Sequence, residues 1–149
     1  MIKISRMADY AVVVLSAFTD VEQGTERLLS ATYVSETTRL PEPTVAKILK
    51  LLARGDVLKS VRGATGGYAL SKTAAEITVA DIINAVEGPI ALTACVEGAT
   101  HSCDYADGCP INGRWDDVNF AISKALENVS LKDMVTPKNN ITALKEGTQ

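Results

Sequence analysis

The 149-residue chain predicts a mainly α fold with one small β-hairpin, that is, a winged helix-turn-helix followed by a long C-terminal helix. Three observations predict it. A short polar-capped segment and a longer amphipathic one meet across a tight turn at residues 38–40. Two short alternating runs flank a glycine-rich connection at residues 62–67. A further amphipathic run at residues 114–128 follows a loop that holds all three cysteines. At 46% hydrophobic and 22% charged, the chain fits one compact domain or a small domain with a helical arm, and disorder is excluded. Its longest apolar stretch, Ala11 to Leu15, is far short of the roughly 20 residues of a membrane span. No charged-then-apolar leader with a cleavage site opens the chain, so a cytoplasmic protein is expected.

Met7, Ala11, Val14, Leu15 and Phe18 recur at helical spacing and predict a first helix over about residues 7–20. Gly24, among polar residues, marks a turn over 21–27. Ser30 is placed to cap a short helix reaching about Thr37, and a longer helix begins near Pro41 or Glu42. In that helix Val45, Ile48, Leu49 and Leu52 fall at i, i+3, i+4 and i+7 and form one core stripe. A rotation of about 100° per residue puts Lys47, Lys50 and Arg54 across from the stripe, with Thr44 and Leu51 on its flank. Pro43 suits the first turn of the helix and Gly55 its end.

From Val57 the period changes. Val57 to Val61 and Tyr68 to Leu70 read as two strands around the connection from Arg62 to Gly67, a hairpin with a basic, flexible tip. Thr78 is a cap for the next helix, whose Val79, Ile82, Ile83 and Val86 repeat the core spacing until Gly88-Pro89 stops it. Residues 90–113 form a loop rich in Gly, Cys and Asp. The following helix, from about Arg114 to Asn128, carries Val118, Ile122, Ala125, Leu126 and Val129 on one side, with Asp116 and Asp117 in its first turn. Ser130 and Asp133 have the spacing to start one more short turn, and residues 136–149, poor in large apolar side chains, read as a mobile tail.

A net charge of −3 argues against a simple polyanion binder, but the charge is uneven. Residues 1–70 hold nine Lys/Arg against seven Asp/Glu, whereas residues 71–149 hold six against eleven. Between Arg39 and Arg62 six basic residues face only Glu42 and Asp56. A basic helix face by itself is a common solvated surface. The succession of short helix, tight turn, basic helix and basic Gly-tipped hairpin instead points to double-stranded DNA as the partner. The candidate DNA-binding set is Pro43, Thr44, Lys47, Lys50 and Arg54 from the helix and Lys59, Arg62, Gly66 and Gly67 from the hairpin. Lysines and Arg54 would neutralise phosphates, Thr44 is placed for a base edge or nearby phosphate, and Arg62 suits a narrow minor groove. Gly63, Gly66 and Gly67 would permit close approach to the duplex, or serve only as turn residues.

Chemistry of other kinds has little support. The run Gly63 to Gly67 lacks the Gly-Lys-Ser/Thr of a phosphate loop, and no nucleophile motif orients a Ser, His and Asp together, so no enzyme is expected. The three cysteines occupy Cys95-x7-Cys103-x5-Cys109, unlike the paired spacing of common zinc ribbons. Three thiolates suit the iron of an iron–sulfur cluster, of two-iron or four-iron type, and Gly98 and Gly108 allow turns between them. Zinc with His101 as fourth ligand and three unrelated thiols are the alternatives.

The opening Met1 to Ala11, the run Val61 to Tyr68 and the three-cysteine loop together resemble the Rrf-two family of winged-helix regulators, over nearly the whole chain to about Val135. Within the family the chain is most similar to regulators of SUF iron–sulfur cluster assembly. The resemblance implies residues 1–89 as the DNA-binding domain, 90–113 as the cluster loop, 114–135 as a long C-terminal dimerisation helix, and a homodimer that reads a partly palindromic operator. It implies Cys95, Cys103 and Cys109 as cluster ligands. The first cysteine interval is longer than in IscR-like members, and Asn112 stands where those members place a histidine, which leaves the fourth ligand open. Asp9 matches an N-terminal aspartate that completes the cluster from the other subunit in nitric-oxide-sensing members; His101 is the alternative, and an exposed helix residue is the plain structural reading of Asp9. The function implied is a repressor of SUF genes switched by cluster occupancy. A nitric-oxide- or iron-responsive regulator of the same family and a cluster-free or zinc-stabilised DNA-binding or interaction protein are the alternatives.

Overall fold

The computed structural model describes residues 2–20 and 27–137. The turn expected over 21–27 and the tail expected over 136–149 lie almost wholly outside the described residues. The elements are α1 (Arg6–Thr19), α2 (Ala31–Thr38), α3 (Glu42–Arg54), β1 (Leu58–Val61), β2 (Gly67–Leu70), α4 (Val79–Glu87), α5 (Asp116–Glu127) and α6 (Leu131–Val135). The expected winged helix-turn-helix and the C-terminal helix are both present.

Local chemistry sets most boundaries. Helix α1 starts one residue before its apolar pattern because the Ser5 hydroxyl accepts the Ala8 N–H at 3.1 Å. Ser30 caps α2 through the Tyr33 N–H. Thr78 and Asp81 form a reciprocal capping box on α4, and Ser130 and Asp133 form another on α6. The Ser130 backbone N–H, and then its hydroxyl, hold the Asp133 carboxyl below its ordinary range.

One core gathers α1, α3, the hairpin base and the C-terminal return. Val14, Leu15, Val34, Val45, Ile48, Leu49, Leu52, Ile82 and Leu131 are all fully buried within it. On α4 the expected face is redistributed: Ala80 and Ile82 are buried while Val79, Ile83 and Val86 are half-buried. The reason is that α4 packs on α1 and α3 with one side and on α5 with another, so its apolar surface is shared. The helical region expected across 114–135 is interrupted at residues 128–130, and after the break the chain turns back into the body. The Leu131 N–H donates to the Ile77 carbonyl at 2.7 Å, and the Val79 N–H donates to that of Val129 at 2.8 Å. Helix α5 buries no residue; on its expected apolar side Val118 is exposed and Ile122 and Leu126 are half-buried.

Gly55 ends α3 for a reason other than the left-handed backbone its position suggests. Its φ is −88°, and the left-handed conformation falls instead on Asp56 at 59°. What Gly55 supplies is room, because a Cβ there would lie 2.4 Å from the Ala85 Cβ of α4. Gly55→Ala should therefore lose about 1–3 kcal/mol of stability through overpacking. Chemical denaturation should show part of that loss recovered in the Gly55→Ala, Ala85→Gly double variant.

Candidate nucleic-acid interface and cysteine loop

The position of α3 follows from its stripe. Burial of Val45, Ile48, Leu49 and Leu52 leaves Pro43, Lys47, Lys50 and Arg54 exposed and Thr44 and Leu51 half-buried at the margin. The turn before it is Arg39 to Pro41, with Arg39 left-handed at φ 60° and its N–H donated to the Ser35 carbonyl at 2.8 Å. Two side chains brace this turn. The Ser35 hydroxyl donates to the Leu40 carbonyl at 2.7 Å, and the Thr32 hydroxyl donates to the Glu42 carboxylate at 3.0 Å. The two helices of the helix-turn-helix are thus joined by polar bonds as well as by Val34 in the core.

Beside α3, β1 and β2 pair antiparallel with Lys59 opposite Ala69 and Val61 opposite Gly67. Lys59 and Arg62 are exposed on this wing, and Gly66 and Gly67 are half-buried. The tip is closed by the Gly66 N–H donating to the Gly63 carbonyl at 3.0 Å. A Cβ on Gly66 would lie 2.2 Å from the Val61 carbonyl oxygen, and one on Gly67 would lie 2.8 Å from that of Leu29. Both glycines are therefore needed for backbone packing within the wing and against the segment before α2. Leu29 and Tyr68 exchange backbone hydrogen bonds of 2.8 and 2.9 Å, a third short strand contact that sequence reasoning missed. Beyond it, Arg27 lies over the Tyr33 ring at 5.1 Å, adding an ordered cation near the wing base. Arg27 falls in the segment read as a turn, and no periodic signal marks it.

Between Gly88 and Trp115 the chain forms successive turns with no helix or strand. Cys103 and Cys109 each lend a backbone carbonyl to a turn, accepting from Ala106 and Asn112 at 3.2 Å. Gly98 and Gly108 have φ of 84° and 87°, as their expected turn role requires. All three cysteines are free and half-buried. Among the described residues, no three His, Cys, Asp or Glu side chains converge into a metal-holding group. The loop thus has the soft donors that cluster iron requires, uncombined in any disulfide, without gathering their sulfurs. Asp9 and His101 are both exposed and are not brought into a shared site with them. The loop is tied to α5 through Asn119, whose amide accepts the Leu92 N–H at 2.9 Å and donates to the Ile90 carbonyl at 3.0 Å.

The family Rrf2, described as an iron-dependent transcriptional regulator, matches residues 4–137. The chain belongs to the Rrf2 family. Over 141 residues, 95% of each chain, it is 26% identical to the HTH-type transcriptional regulator NsrR of Oceanobacillus iheyensis. It is 31% identical to the HTH-type transcriptional regulator IscR of Pectobacterium atrosepticum over 105 residues, 70% of this chain and 63% of that one. Among solved structures it is similar to CymR (YrzC), the global cysteine regulator of B. subtilis, with a TM-score of 0.65 and 26% identity over 91% of this chain and 97% of that one. The fold also matches T. potens IscR, with a TM-score of 0.63 and 24% identity over 99% and 94% of the two chains. This Rrf2 protein is therefore a DNA-binding transcriptional regulator and not an enzyme. No helix among its described residues is long and apolar enough to cross a membrane.

The wing of this Rrf2 protein depends on Gly66. Gly66→Ala should open the tip, read as faster hydrogen exchange of the amide at position 66, while protection of Leu52 and Leu49 in α3 stays at the parent level.

Proposed function

We propose that this Rrf2 protein is a homodimeric, cytoplasmic repressor of SUF iron–sulfur cluster assembly genes whose operator affinity depends on an iron–sulfur cluster held by Cys95, Cys103 and Cys109. The observation that carries the reading is the placement of three free, half-buried thiols in one loop between the winged domain and α5, in a family described as iron-dependent. When bound, such a cluster supplies an iron- and oxidation-sensitive link among the three thiolates. Asp9 is the preferred fourth ligand and His101 the alternative.

The chain's own residues supply the rest. Lys47, Lys50 and Arg54 on α3 and Lys59 on the wing neutralise phosphates, Arg62 at the wing tip enters a narrow minor groove, and Thr44, with Pro43 beside it, stands at the start of α3 where a base edge is reached. Gly66 and Gly67 keep the wing compact enough to lie close to the duplex. On α5, the exposed Val118 and the half-buried Ile122 and Leu126 offer the apolar face for a second subunit. Dimerisation would present two α3 helices to a two-fold operator.

Protein purified without oxygen should absorb in the visible, contain iron and acid-labile sulfide, and lose both on Cys95→Ala, Cys103→Ala or Cys109→Ala. A colourless protein without iron or sulfide after anaerobic reconstitution would leave a regulator with a different signal. On a duplex selected from a random-sequence pool, Lys47→Ala and Lys50→Ala should each lower the slope of log affinity against log salt by about 0.9 for each phosphate contact removed. Lys124→Ala on α5, where the lysine pairs with Glu127, should leave that slope unchanged. Unchanged slopes for Lys47→Ala and Lys50→Ala would remove these residues from the interface.

A further inference from the structure

Cys95 sits in a segment held at both ends by one helix. Before it, the Leu92 N–H donates to the Asn119 side-chain carbonyl at 2.9 Å; after it, the Glu97 N–H donates to an Asp116 carboxylate oxygen at 3.1 Å. Asp116 and Asn119 are three residues apart in the first turns of α5 and therefore share a face. Asn119 makes a second bond, donating to the Ile90 carbonyl at 3.0 Å, so both polar ends of its amide are used on the loop. Within the bracketed segment the Thr93 hydroxyl lies 3.2 Å from the Cys95 sulfur, and the Val96 side chain is buried. Among the described residues, the backbone bonds of Cys103 and Cys109 are turn bonds with neighbouring loop residues. The three thiols are thus held unequally.

We infer that Asp116 and Asn119 are positioning residues that fix the Cys95 segment on α5, so that Cys95 is the anchored thiol of the loop and its state is passed to α5. The onward route is contiguous. Helix α5 packs on α4, and α4 packs on α3 with the close approach that Gly55 permits opposite Ala85. The coupling half of this inference rests on the cluster reading above; the anchoring half does not. Asp116 and Asn119 touch no thiol and act only through backbone amides and a carbonyl.

The test labels metal-free, full-length protein with iodoacetamide and follows each cysteine by mass spectrometry. Loss of the Glu97 bond in Asp116→Ala should raise the Cys95 rate about fivefold, the factor expected for one net hydrogen bond, and Asn119→Ala, which loses the bonds to Leu92 and Ile90, should raise it at least as much. Cys109 should label at the parent rate, and Asp116→Asn, which keeps an acceptor for Glu97, should restore the parent rate at Cys95. Parent rates at Cys95 in both alanine variants, or equal acceleration at all three thiols, would overturn the anchoring. If Asn119→Ala fails to fold, the Asp116→Ala and Asp116→Asn pair decides it alone. For the coupling, the ratio of operator affinities between cluster-loaded and stripped protein should shrink toward one in Asn119→Ala at unchanged iron content; a ratio equal to the parent's would overturn it. A parent protein that takes up no iron or sulfide would sink the cluster reading, while the labelling rates would still decide the anchoring.

Discussion

The structure depends first on the burial of one stripe of α3. Val45, Ile48, Leu49 and Leu52 are fully excluded from water, each stabilising the fold by roughly 1.5–3 kcal/mol relative to exposure. Because the four share a face, their burial fixes the rotation of the helix about its axis as well as its place. Lys47, Lys50 and Arg54 face solvent as a geometric consequence. A shift of one residue would turn α3 by about 100° and place a charged side chain against the core, which desolvation forbids. Orientation of the basic surface is thereby guaranteed by apolar chemistry on the opposite side.

Polar bonds then place the neighbouring pieces against that fixed helix. Thr32 reaching Glu42 and Ser35 reaching Leu40 hold the helix-turn-helix angle, and the Leu29–Tyr68 exchange ties the wing to the segment that leads into α2. Wing and helices are thus connected through backbone pairing as well as through the short chain from Gly55 to Val57. Gly67 is the residue that makes the exchange possible, because any side chain there would meet the Leu29 carbonyl. A two-stranded hairpin is marginal alone, and this third contact gives it a partner.

Features that depend on nearby sequence were legible. The stripe of α3, the Ser30 and Thr78 caps, the hairpin and the Ser130–Asp133 turn all arise within one or two helical turns, where period and capping chemistry act. Ser5 carries no such signal as a cap, because the apolar pattern of α1 starts later. Gly55 stands where the sequence places the end of α3, but the space it provides is not legible there, since Ala85 is 30 residues away and only packing brings it close. The return of Leu131 to the core, the Leu29–Tyr68 exchange and the Asn119 bonds to Ile90 and Leu92 link residues far apart along the chain and have no periodic signature. Cys95, Cys103 and Cys109 stood out by type and spacing, but residue type does not determine how a turn-rich loop gathers its sulfurs.

That loop differs physically from the rest of the protein. Between residues 88 and 115 Val96 alone is buried, so almost no apolar area opposes rearrangement of the backbone. Segments with so little buried contact open at low free-energy cost, whereas α3 and α4 share the global stability of the core. A ligand of the thiols would therefore act on a weakly buried segment, where a few bonds decide the conformation. Its influence can reach the rest only through attachments that survive the rearrangement. The side-chain bonds from Asp116 and Asn119 join the loop to α5, a regular helix that packs on α4. A soft loop tied to a regular helix at a few polar points is an arrangement in which a ligand bound at the loop would spend binding energy on displacing the helix rather than within the loop.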